Sequence, residues 1–481
     1  MRYLYSLLAF ILLTVSANAA DYYYCDTGDD TTGDGSIESP WRSYDKAQLQ
    51  MDADGSSMYF CEGGTFPTAR AVQANFISHV YGSAANRGVI GAYNANGDPI
   101  GTLAKPLLTV ANGGGGYKGI RLAYIDYLTI RDIAIESDAW IFDYAHQNWG
   151  IWIYEDTVDI LIDNVSISKL GIATNISNSG SASNGNHTVT IKNSHFEKNW
   201  TVAHLGAAKH YNIINNTYDK NGANGGGRPI YLGGGRATSI ANWYETVNVL
   251  GNTFTNNAPG DVGLGFGDYD GSDDILGKWG CSRGSVIGGH GEWAASGLIR
   301  IAGNRIIEVQ DASSQCWPIS LDEGWPDSDE RIPLIIENNY AENIGNMGFG
   351  CSNCDGVIVR NNVVNMGENN GAGITINSKD ESPVTDDTDP ATYPTTTAEV
   401  YGNLIIMDSG TQGNPAQGIN LLGGDATIAA DVHDNLIIRT NDISVDSTCI
   451  WYETGSTLAN NICIIVDASG DLSISNEFTA R

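Results

Sequence analysis

Three acidic residues close two short runs in which apolar and polar residues alternate. The run VGLGFGD ends at Asp268, and the run WPISLDE ends at Asp322 and Glu323. If the two runs are neighbouring parallel strands, about 4.8 Å apart, their terminal carboxylates lie close enough to separate their pKa values. One could then act as general acid and the other as base or nucleophile, which is the chemistry that hydrolyses glycosidic bonds. We predict that Asp268 and Glu323 are catalytic, with Asp322 as alternative partner; simple binding of water or Ca²⁺ by these acids is the competing interpretation.

A second group of residues suits proton abstraction beside a carboxylate. His204 stands in the run TVAHLGA, where it is expected to face outward and to reach a bound molecule. β-Elimination on an anionic sugar needs such a base, together with a cation that neutralises the sugar carboxylate. His204 is therefore a further catalytic candidate, and the basic residues close to it in the sequence are Lys209, His210 and Arg228.

Acidic residues directly after Asp268 offer a metal site. Carboxylate oxygens are the ligands that Ca²⁺ prefers, and the sequence DYDGSDD supplies several of them within a few residues. The hydrolytic mechanism requires no cofactor, so we predict none as essential. Ca²⁺ is the ion considered, at Asp270, Asp273 and Asp274.

Aromatic residues collect in the segments that interrupt the alternating runs. Aromatic rings stack on the apolar faces of sugars, and tryptophan offers the largest face. A single tryptophan is more often a packing residue, but several beside one trough are harder to explain in that way. The predicted substrate-binding residues are Tyr231, Arg228, Lys209, Trp243, Trp279, His290, Glu292, Trp293 and Trp325.

An asparagine repeat identifies the elements that must position these residues. Asparagine recurs between two short apolar runs, at spacings from 23 to 52 residues. A solenoid stacks each turn on the previous one, so the same tight corner recurs directly above itself. Asparagine tolerates a left-handed corner, and its amide can bond to the asparagine of the next turn. The ten positions are Asn164, Asn193, Asn216, Asn252, Asn304, Asn339, Asn362, Asn403, Asn435 and Asn461, with Asp132 upstream.

Alternation along one strand of each turn assigns an inward and an outward face. Inward residues include Ile151, Ile153, Ala203 and Leu205. The predicted outward column is Trp152, His204, Tyr231, Gly265, Ser320, Gly350 and Thr375, and Gly206, Gly233, Gly265 and Gly267 are expected to form a trough.

Composition and the amino terminus restrict the partners. The net charge is −31, from 25 Lys and Arg against 56 Asp and Glu, which argues against binding of nucleic acid or anionic membranes. The opening MRYLYSLLAFILLTVSANA has the basic, apolar and small-residue regions of a signal peptide. A secreted monomer, extracellular or periplasmic, is therefore expected.

The eight cysteines suit disulfides, and Cys25–Cys61 and Cys449–Cys463 are the natural pairs. At Cys351 and Cys354 we prefer a disulfide or two thiols over a zinc site.

The asparagine repeat, together with the start DYYYCDTGDDTTGDGSIESPWRSYDKAQ, resembles the secreted carbohydrate-active enzymes with a right-handed parallel β-helix, the pectin-lyase-like fold. The resemblance implies an all-β, single-stranded right-handed parallel β-helix with an N-terminal cap, whose helix lies near Tyr44–Leu49, and long loop insertions. The expected organisation is a signal peptide at 1–20, a cap with the first turns at 21–105, and the β-helix at 106–481.

In these enzymes the substrate lies along the first strand of each turn, where the candidate acids also stand. The predicted function is endo-acting hydrolysis of a polysaccharide. Elimination by a polysaccharide lyase is the alternative, and a non-catalytic carbohydrate-binding or adhesive solenoid is a third possibility, because the same coil also builds such proteins.

Overall fold

The strands of the chain form three long sheets around one core. The computed structural model describes residues 20–48, 56–68, 76–78, 82–94, 96, 104–111, 117–138, 148–154, 157–177, 188–200, 202–206, 208–222, 229–232, 244–257, 283–290, 295–307, 315–322, 333–343, 347–352, 354, 356–367, 371–378, 396–407, 416–423, 428–440, 447–467, 469–475 and 478–480. A short helix, α1 (Tyr44–Gln48), lies near the N-terminus, and the remaining elements are strands, numbered here in chain order.

Each turn of the coil contributes one strand to each sheet, in the order sheet 1, sheet 2, sheet 3. Sheet 1 consists of β4 (Phe76–Ser78), β7 (Lys118–Ala123), β10 (Trp149–Tyr154), β13 (Ile172–Ser177), β16 (Val202–Gly206), β19 (Ile230–Leu232), β22 (Arg283–His290), β25 (Gln315–Asp322), β28 (Met347–Ser352), β31 (Ala372–Ser378), β34 (Gln417–Gly423), β37 (Thr448–Tyr452) and β41 (Phe478–Ala480).

Sheet 2 consists of β1 (Asp21–Tyr24), β2 (Ser57–Cys61), β5 (Gly88–Tyr93), β8 (Leu128–Arg131), β11 (Asp159–Asp163), β14 (Thr188–Lys192), β17 (His210–Ile214), β20 (Tyr244–Leu250), β23 (Ala295–Ala302), β26 (Leu334–Glu337), β29 (Val357–Arg360), β32 (Thr396–Tyr401), β35 (Ile428–His433) and β38 (Thr457–Ala459).

Sheet 3 consists of β3 (Thr65–Pro67), β6 (Leu107–Val110), β9 (Ala134–Ser137), β12 (Ser166–Ser168), β15 (His195–Glu197), β18 (Thr217–Asp219), β21 (Thr253–Thr255), β24 (Arg305–Ile307), β27 (Tyr340–Glu342), β30 (Val363–Asn365), β33 (Leu404–Met407), β36 (Leu436–Thr440), β39 (Ile462–Val466) and β40 (Leu472–Ser475). Strands pair in parallel within the sheets, apart from β39 with β40. The predicted parallel β-helix is therefore confirmed.

Connection lengths distinguish sheet 1 from the other two sheets. From β8 to β39, each of the eleven connections from sheet 2 to sheet 3 contains two residues. Between β7 and β38, the connections on either side of sheet 1 contain from 3 to 27 residues. Long insertions therefore border sheet 1 on both edges, whereas the corner between sheets 2 and 3 stays constant.

That constant corner contains the asparagine ladder. The first of its two residues has a left-handed backbone, for example Asn361 with φ 55°. The second is buried, and its side-chain amide donates to the amide oxygen of the next turn at 2.9–3.1 Å, from Asn216 through to Asn461. The predicted ladder is confirmed for the eight asparagines from Asn216 to Asn461. Asn164 and Asn193 are not part of it, because they occupy the first corner position and donate to Asp132 and Asp163. The left-handed conformation, however, belongs to the preceding residue in these eight turns, and only Asn164 and Asn193 among the ten asparagines adopt it themselves.

A second, shorter ladder lies at the corner between sheets 3 and 1. The amide of Asn199 donates to Asn221 at 2.8 Å, and that of Asn221 donates to Asn257 at 3.1 Å. Lys198 and Lys220 precede it with left-handed backbones. The sequence repeat did not single out this ladder, because it extends over three turns and the residues before it vary.

An aromatic cluster closes the N-terminal end of the core. Tyr44, in the predicted cap helix, is fully buried and stacks on Phe60, with ring centroids 6.0 Å apart. Phe60 also contacts Tyr24 and Phe66, so α1 covers the first turn of the coil. Such a cover is what the open end of a solenoid requires.

Three disulfides connect described cysteines. Cys25–Cys61 and Cys449–Cys463 form as predicted, and Cys351 pairs with Cys354. Disulfides of this kind are typical of proteins in oxidising compartments. Within the ranges given above, no helix combines the length and the hydropathy needed to span a bilayer.

Candidate functional site

The outward residues of sheet 1 form one continuous column along the coil. Each residue pairs in register with the next, and both of its neighbours along the strand turn inward or end the strand. This outer column is Arg121, Trp152, Asn175, Leu205, Tyr231, Gly288, Ser320, Gly350, Thr375, Asn420 and Trp451. The inner column beside it, fully buried, is Ile120, Ile151, Thr174, His204, Ile230, Ile287, Ile319, Phe349, Ile374, Ile419 and Ile450.

Most of the predicted outward column is confirmed. Trp152, Tyr231, Ser320, Gly350 and Thr375 occupy it as expected. Two members differ, and each difference has a local cause described below.

His204 was predicted to face outward, and this is wrong. Ala203 and His204 are both fully buried, because two consecutive residues turn inward at the corner that begins each sheet 1 strand. Strict alternation counted from Ala203 therefore places His204 on the wrong face, and Leu205 takes its place in the outer column. Gly206 pairs with Ile176 and has φ 118°, so it ends the strand instead of lining a trough.

His204 instead belongs to a polar cluster inside the coil. Its Nδ1 lies 2.5 Å from the hydroxyl of Thr174, and its Nε2 lies 2.7 Å from the hydroxyl of Tyr218. The Tyr218 ring stacks between Phe196 and Phe254, which fixes its position. Burial lowers the pKa of His204 to about 3, so the imidazole is neutral at ordinary pH. A group enclosed in this way cannot reach a substrate, so His204 is not retained as a catalytic base.

Replacing His204 by Gln is expected to remove part of the acid sensitivity of folding. Below about pH 6.5 the unfolded chain protonates this histidine, whereas the folded chain does so only near pH 3. The free energy of unfolding should therefore fall by about 1.4 kcal/mol per pH unit across that window in the wild type. Urea midpoints would be measured at pH 7, 6 and 5. The difference in midpoint between the wild type and the variant should become smaller as pH falls.

The matched control for this change is His195→Gln, on the outer face of sheet 3, where the side chain is 45 % exposed. The pH dependence of the His204→Gln difference is compared with that of this variant. A His204→Gln difference that does not change between pH 7 and 5 would contradict the lowered pKa of His204.

The second difference concerns the strand that ends at Asp268. The position between β19 and β25 is filled by β22 (Arg283–His290), not by residues 262–268. Gly288 accordingly replaces Gly265 in the outer column, and the residue paired with Asp322 is His290. The prediction that Asp268 and Glu323 stand one turn apart on neighbouring strands is therefore wrong, because the long insertion precedes the sheet 1 strand instead of following it.

Several predicted site residues lie outside the described part of the chain. For His290 and Asp322 the structure describes the backbone, which places them as register partners at the ends of β22 and β25. The predicted residues outside the described ranges are Asp268, Glu323, Arg228, Trp243, Trp279, Glu292, Trp293, Trp325, Gly233, Gly265, Gly267 and the calcium candidates Asp270, Asp273 and Asp274.

Lys209 and His210 lie at the border between sheets 1 and 2. Lys209 Nζ is 3.7 Å from the Glu245 carboxylate, and His210 Nε2 is 3.3 Å from it. His210 Nδ1 also lies 2.9 Å from the hydroxyl of Thr246. These contacts hold Lys209 just before β17 and His210 at the first position of β17, in sheet 2. Neither residue belongs to the outer column of sheet 1.

A cationic and aromatic cluster occupies the N-terminal part of the sheet 1 face. Lys118 Nζ lies 4.5 Å from the ring centroid of Trp149 and 4.6 Å from that of Trp152. The Arg121 guanidinium lies 4.5 Å from the Trp152 ring and 5.7 Å from Tyr154. Burial, and secondarily the charge of Arg121, lower the pKa of Lys118 to about 8. We call these five residues the cationic cluster.

Sequence alternation placed Trp152 outward but did not single out the two cations. The signal was present, because KGIRLA (118–123) and WGIWIY (149–154) align residue for residue. The shared Gly-Ile marks the inward corner, so the residues on either side of it face the same way. Aligning successive turns by that dipeptide would have found the cluster.

Further along the same face, buried polar atoms lack hydrogen-bond partners. Thr375 is 2 % exposed and Asn420 is 7 % exposed, and they are register partners in the outer column. Buried polar groups are normally satisfied, so each such atom needs an explanation, and a bound ligand is one. Among the described residues on or beside sheet 1, these atoms include Asn148 Oδ1, Trp149 Nε1, Ser285 Oγ, Trp317 Nε1, Thr375 Oγ1 and Asn420 Oδ1.

No protein-family model matches the chain, and no curated protein is significantly similar to it. Among solved structures, a GH136 lacto-N-biosidase from Eubacterium ramulus aligns over 92% of this chain and 67% of its own, at 13% identity and a TM-score of 0.48. The catalytic domain of a GH87 alpha-1,3-glucanase covers 94% of this chain and 67% of its own, at 10% identity and 0.42.

An alginate lyase from Paenibacillus sp. str. FPU-7 covers 78% of this chain and 92% of its own, at 13% identity and a TM-score of 0.29. Identities and scores this low carry no residue correspondence. The β-helix assignment accordingly rests on the strand pairing of this chain.

Proposed function

We propose that the protein is an exported enzyme that hydrolyses a polysaccharide bound along the outer face of sheet 1. The observation that carries the proposal is the outer column, a continuous row of aromatic, small and polar residues that includes buried polar atoms without partners. The long connections border this sheet on both edges. A linear polymer laid along the coil would contact successive turns and could satisfy those atoms with its hydroxyl groups.

The other two outer faces carry paired charges among the described residues. The outer face of sheet 2 pairs its charges internally, as in Lys192 with Asp163 at 3.2 Å. At the edge of sheet 3, Lys169 pairs with Glu136 at 2.7 Å. Their charges are already matched to each other, so these faces offer fewer groups to a ligand.

The proposed chemistry lies where β22 and β25 end. Gly288 and Ser320 are neighbours in the outer column, and His290 and Asp322 are register partners beside them. Glu323 follows Asp322 directly in sequence. We assign the roles of general acid and of base or nucleophile to Asp322 and Glu323. Asp268 is the alternative acid. It belongs to the insertion before β22, which would have to place it beside the other two. Tyr231 and the tryptophans of the insertions are proposed to bind the sugar.

The test is incubation with pectin, alginate, carrageenan, fucoidan and neutral glycans, followed by product analysis. Hydrolysis predicts new reducing ends without absorbance from unsaturated uronates. Binding without any product would instead establish a carbohydrate-binding or adhesive solenoid. Addition of a chelator should leave the rate unchanged, since no metal is assigned a role in hydrolysis.

One observation favours a lyase as the second candidate. Lys118 stands on the sheet 1 face with a pKa lowered to about 8, first by burial and then by Arg121. A neutral amine can take the proton next to a uronate carboxylate, while an adjacent guanidinium neutralises the carboxylate. That mechanism predicts unsaturated products and a rate that rises with pH through about 8.

A further inference from the structure

We infer that the C-terminal part of sheet 3 is an interface through which two copies of this chain associate. The inference goes beyond the proposed function and does not depend on it, because sheet 3 is a different face of the coil from sheet 1. The occupant of the interface is a second copy of the chain, which packs the same part of its own sheet 3 against the first.

The outward residues of sheet 3 are aliphatic in its last turns. In β33, β36 and β39 the second residue is buried in the core, and the residues on either side of it point outward. The core cluster contains the second residues, Ile405, Ile437 and Cys463, but not their outward neighbours. These six neighbours are Leu404 and Ile406, Leu436 and Ile438, and Ile462 and Ile464. Together with Leu472 and Ile474 of β40 we call them the aliphatic face.

The final strand extends this face instead of covering the core. β40 pairs antiparallel with β39, and residues directly opposite each other in such a pair point to the same side. Leu472 lies opposite Val466 and Ile474 lies opposite Ile464, on the outer side, where they are 71 % and 79 % exposed. The two serines of β40 take the inner side, one of them opposite Cys463. A shift of one residue would turn the aliphatic side chains inward, so the register that the chain adopts exposes them.

The earlier turns of the same sheet present polar residues at the equivalent positions. In β12, β15, β18 and β21 these are Ser166 and Ser168, His195 and Glu197, Thr217 and Asp219, and Thr253 and Thr255. Within β33, β36, β39 and β40, in contrast, only Arg439 is charged, and it is in register with buried Met407 on the inner side. A contiguous apolar surface beside a polar one is typical of a protein–protein contact.

The charge of the chain favours a second copy as the partner. At a net charge of −31 two copies repel each other, so association is favoured where neither copy presents acids. The aliphatic face meets that condition, and a basic partner or an anionic membrane would gain no ion pair with it. A flat aliphatic sheet packs on another such sheet about 10 Å away, and a two-fold dimer brings the same patch of both copies together.

The size of the face sets the strength of the dimer. Four strands at about 4.8 Å spacing, with up to five residues at about 3.3 Å each, give roughly 300 Å² per copy. Both copies together then bury about 600 Å², which is below the roughly 1,200 Å² at which standard interfaces begin, so the dimer is weak and reversible. If the two coils run antiparallel and overlap at their C-terminal ends, acids of the polar turns such as Glu197 and Asp219 stay apart, which avoids like-charge contacts.

Sedimentation velocity of the full chain tests for the dimer. Concentrations from about 1 µM to 1 mM cover the dissociation constants expected for a small interface. The wild type should shift from monomer to dimer within this range. Raising the NaCl concentration should strengthen the dimer, because salt screens the repulsion between two acidic copies. A chain that stays monomeric at every concentration, as expected from its sequence, would overturn the inference, and so would a dimer that salt weakens.

Charged substitutions on β40 locate the interface. Leu472→Lys and Ile474→Lys should each raise the dissociation constant by about tenfold or more, since each places a charge in an apolar contact. Both side chains are exposed, so the urea midpoint of the monomer should not change. Thr217→Lys is the matched control, because it adds the same charge at an exposed position in the polar part of sheet 3, and it should leave the dissociation constant unchanged. Lysine lowers the net negative charge and would by charge alone favour association, so a weaker dimer reports on the aliphatic face.

Ile438→Thr distinguishes the packing of two faces from the pairing of two strand edges. Ile438 lies two strands away from β40, and threonine keeps a β-branched side chain at this position. If the two faces pack together, this variant should raise the dissociation constant by about fivefold or more. A loss of association that is confined to the β40 variants would indicate pairing through the outer edge of β40 and would overturn the proposed packing. A dimer that none of the three substitutions weakens would exclude the aliphatic face as its interface.

Discussion

Asp322→Asn and Glu323→Gln are each expected to lower the rate of polysaccharide cleavage by about 10²- to 10⁴-fold, the usual contribution of a positioned acid or base. Asp322 ends β25 beside the outer column, and Glu323 follows it directly in the sequence. Neither amide can transfer a proton in the relevant step, whereas both preserve size and hydrogen bonding. Initial rates from reducing-end release, together with affinity for the intact polysaccharide, would show whether the loss affects turnover and spares binding.

The pH dependence distinguishes the two roles. Hydrolysis by an acid and a base gives a bell-shaped rate profile, whose limbs report the two groups. Loss of the general acid should remove the alkaline limb from the residual activity, and loss of the base should remove the acidic limb. Asp268→Asn tests the alternative partner in the same assay.

Glu399→Gln is the matched control for these acid variants, because Glu399 is an exposed carboxylate on sheet 2. It changes the net charge by the same amount as the acid variants do. The cleavage rate should stay within about twofold of the wild-type rate, as expected for a surface change away from the site. Near-normal activity in all three acid variants would remove the hydrolytic mechanism while leaving the β-helix intact.

The fold was predictable because its determinants are local and repeated. Each turn presents the same short Val- and Ile-rich strands and the same corner, so an error in one turn is corrected by its neighbours. The asparagine at the second corner position must be buried and bonded in every turn, which is why it recurs so regularly. The N-terminal cap helix has no such repeat; it was predictable because the open end of a solenoid needs a cover, and Tyr44 in this helix stacks on Phe60.

The site was less predictable because it depends on where each strand begins. Two inward residues at the start of the sheet 1 strands shift the alternation by one, and this shift moved His204 from the predicted outer face into the core. Between β21 and β25 the regularly alternating stretch is 262–268, whereas 283–290, RGSVIGGH, does not alternate. Only pairing with β19 and β25 decides that the second is the strand.

The clearest stability test compares two adjacent asparagines in one corner. Asn362→Ala should lower the free energy of unfolding by about 3 to 4 kcal/mol, because several buried groups lose their partners. The Asn362 side chain accepts from the backbone N–H and the amide of Asn339, at 2.9 and 3.1 Å. It donates to the Ile336 carbonyl at 2.9 Å and to the Asn403 amide at 3.0 Å. Alanine provides none of these bonds, and the corner is closed to water.

Asn361→Gly changes the same corner without touching the ladder. Asn361 is exposed and has φ 55°, a backbone conformation that glycine adopts freely, so the free energy of unfolding should change by less than about 1 kcal/mol. Urea midpoints would compare the two variants, and hydrogen exchange at the amides of Asn339 and Asn362 would localise the effect. If Asn361→Gly destabilised the protein as much as Asn362→Ala, backbone conformation and not the buried ladder would be the main source of stability at this corner. The predicted difference follows from burial, since the two residues share a type and a turn but only one of them has its hydrogen bonds out of reach of water.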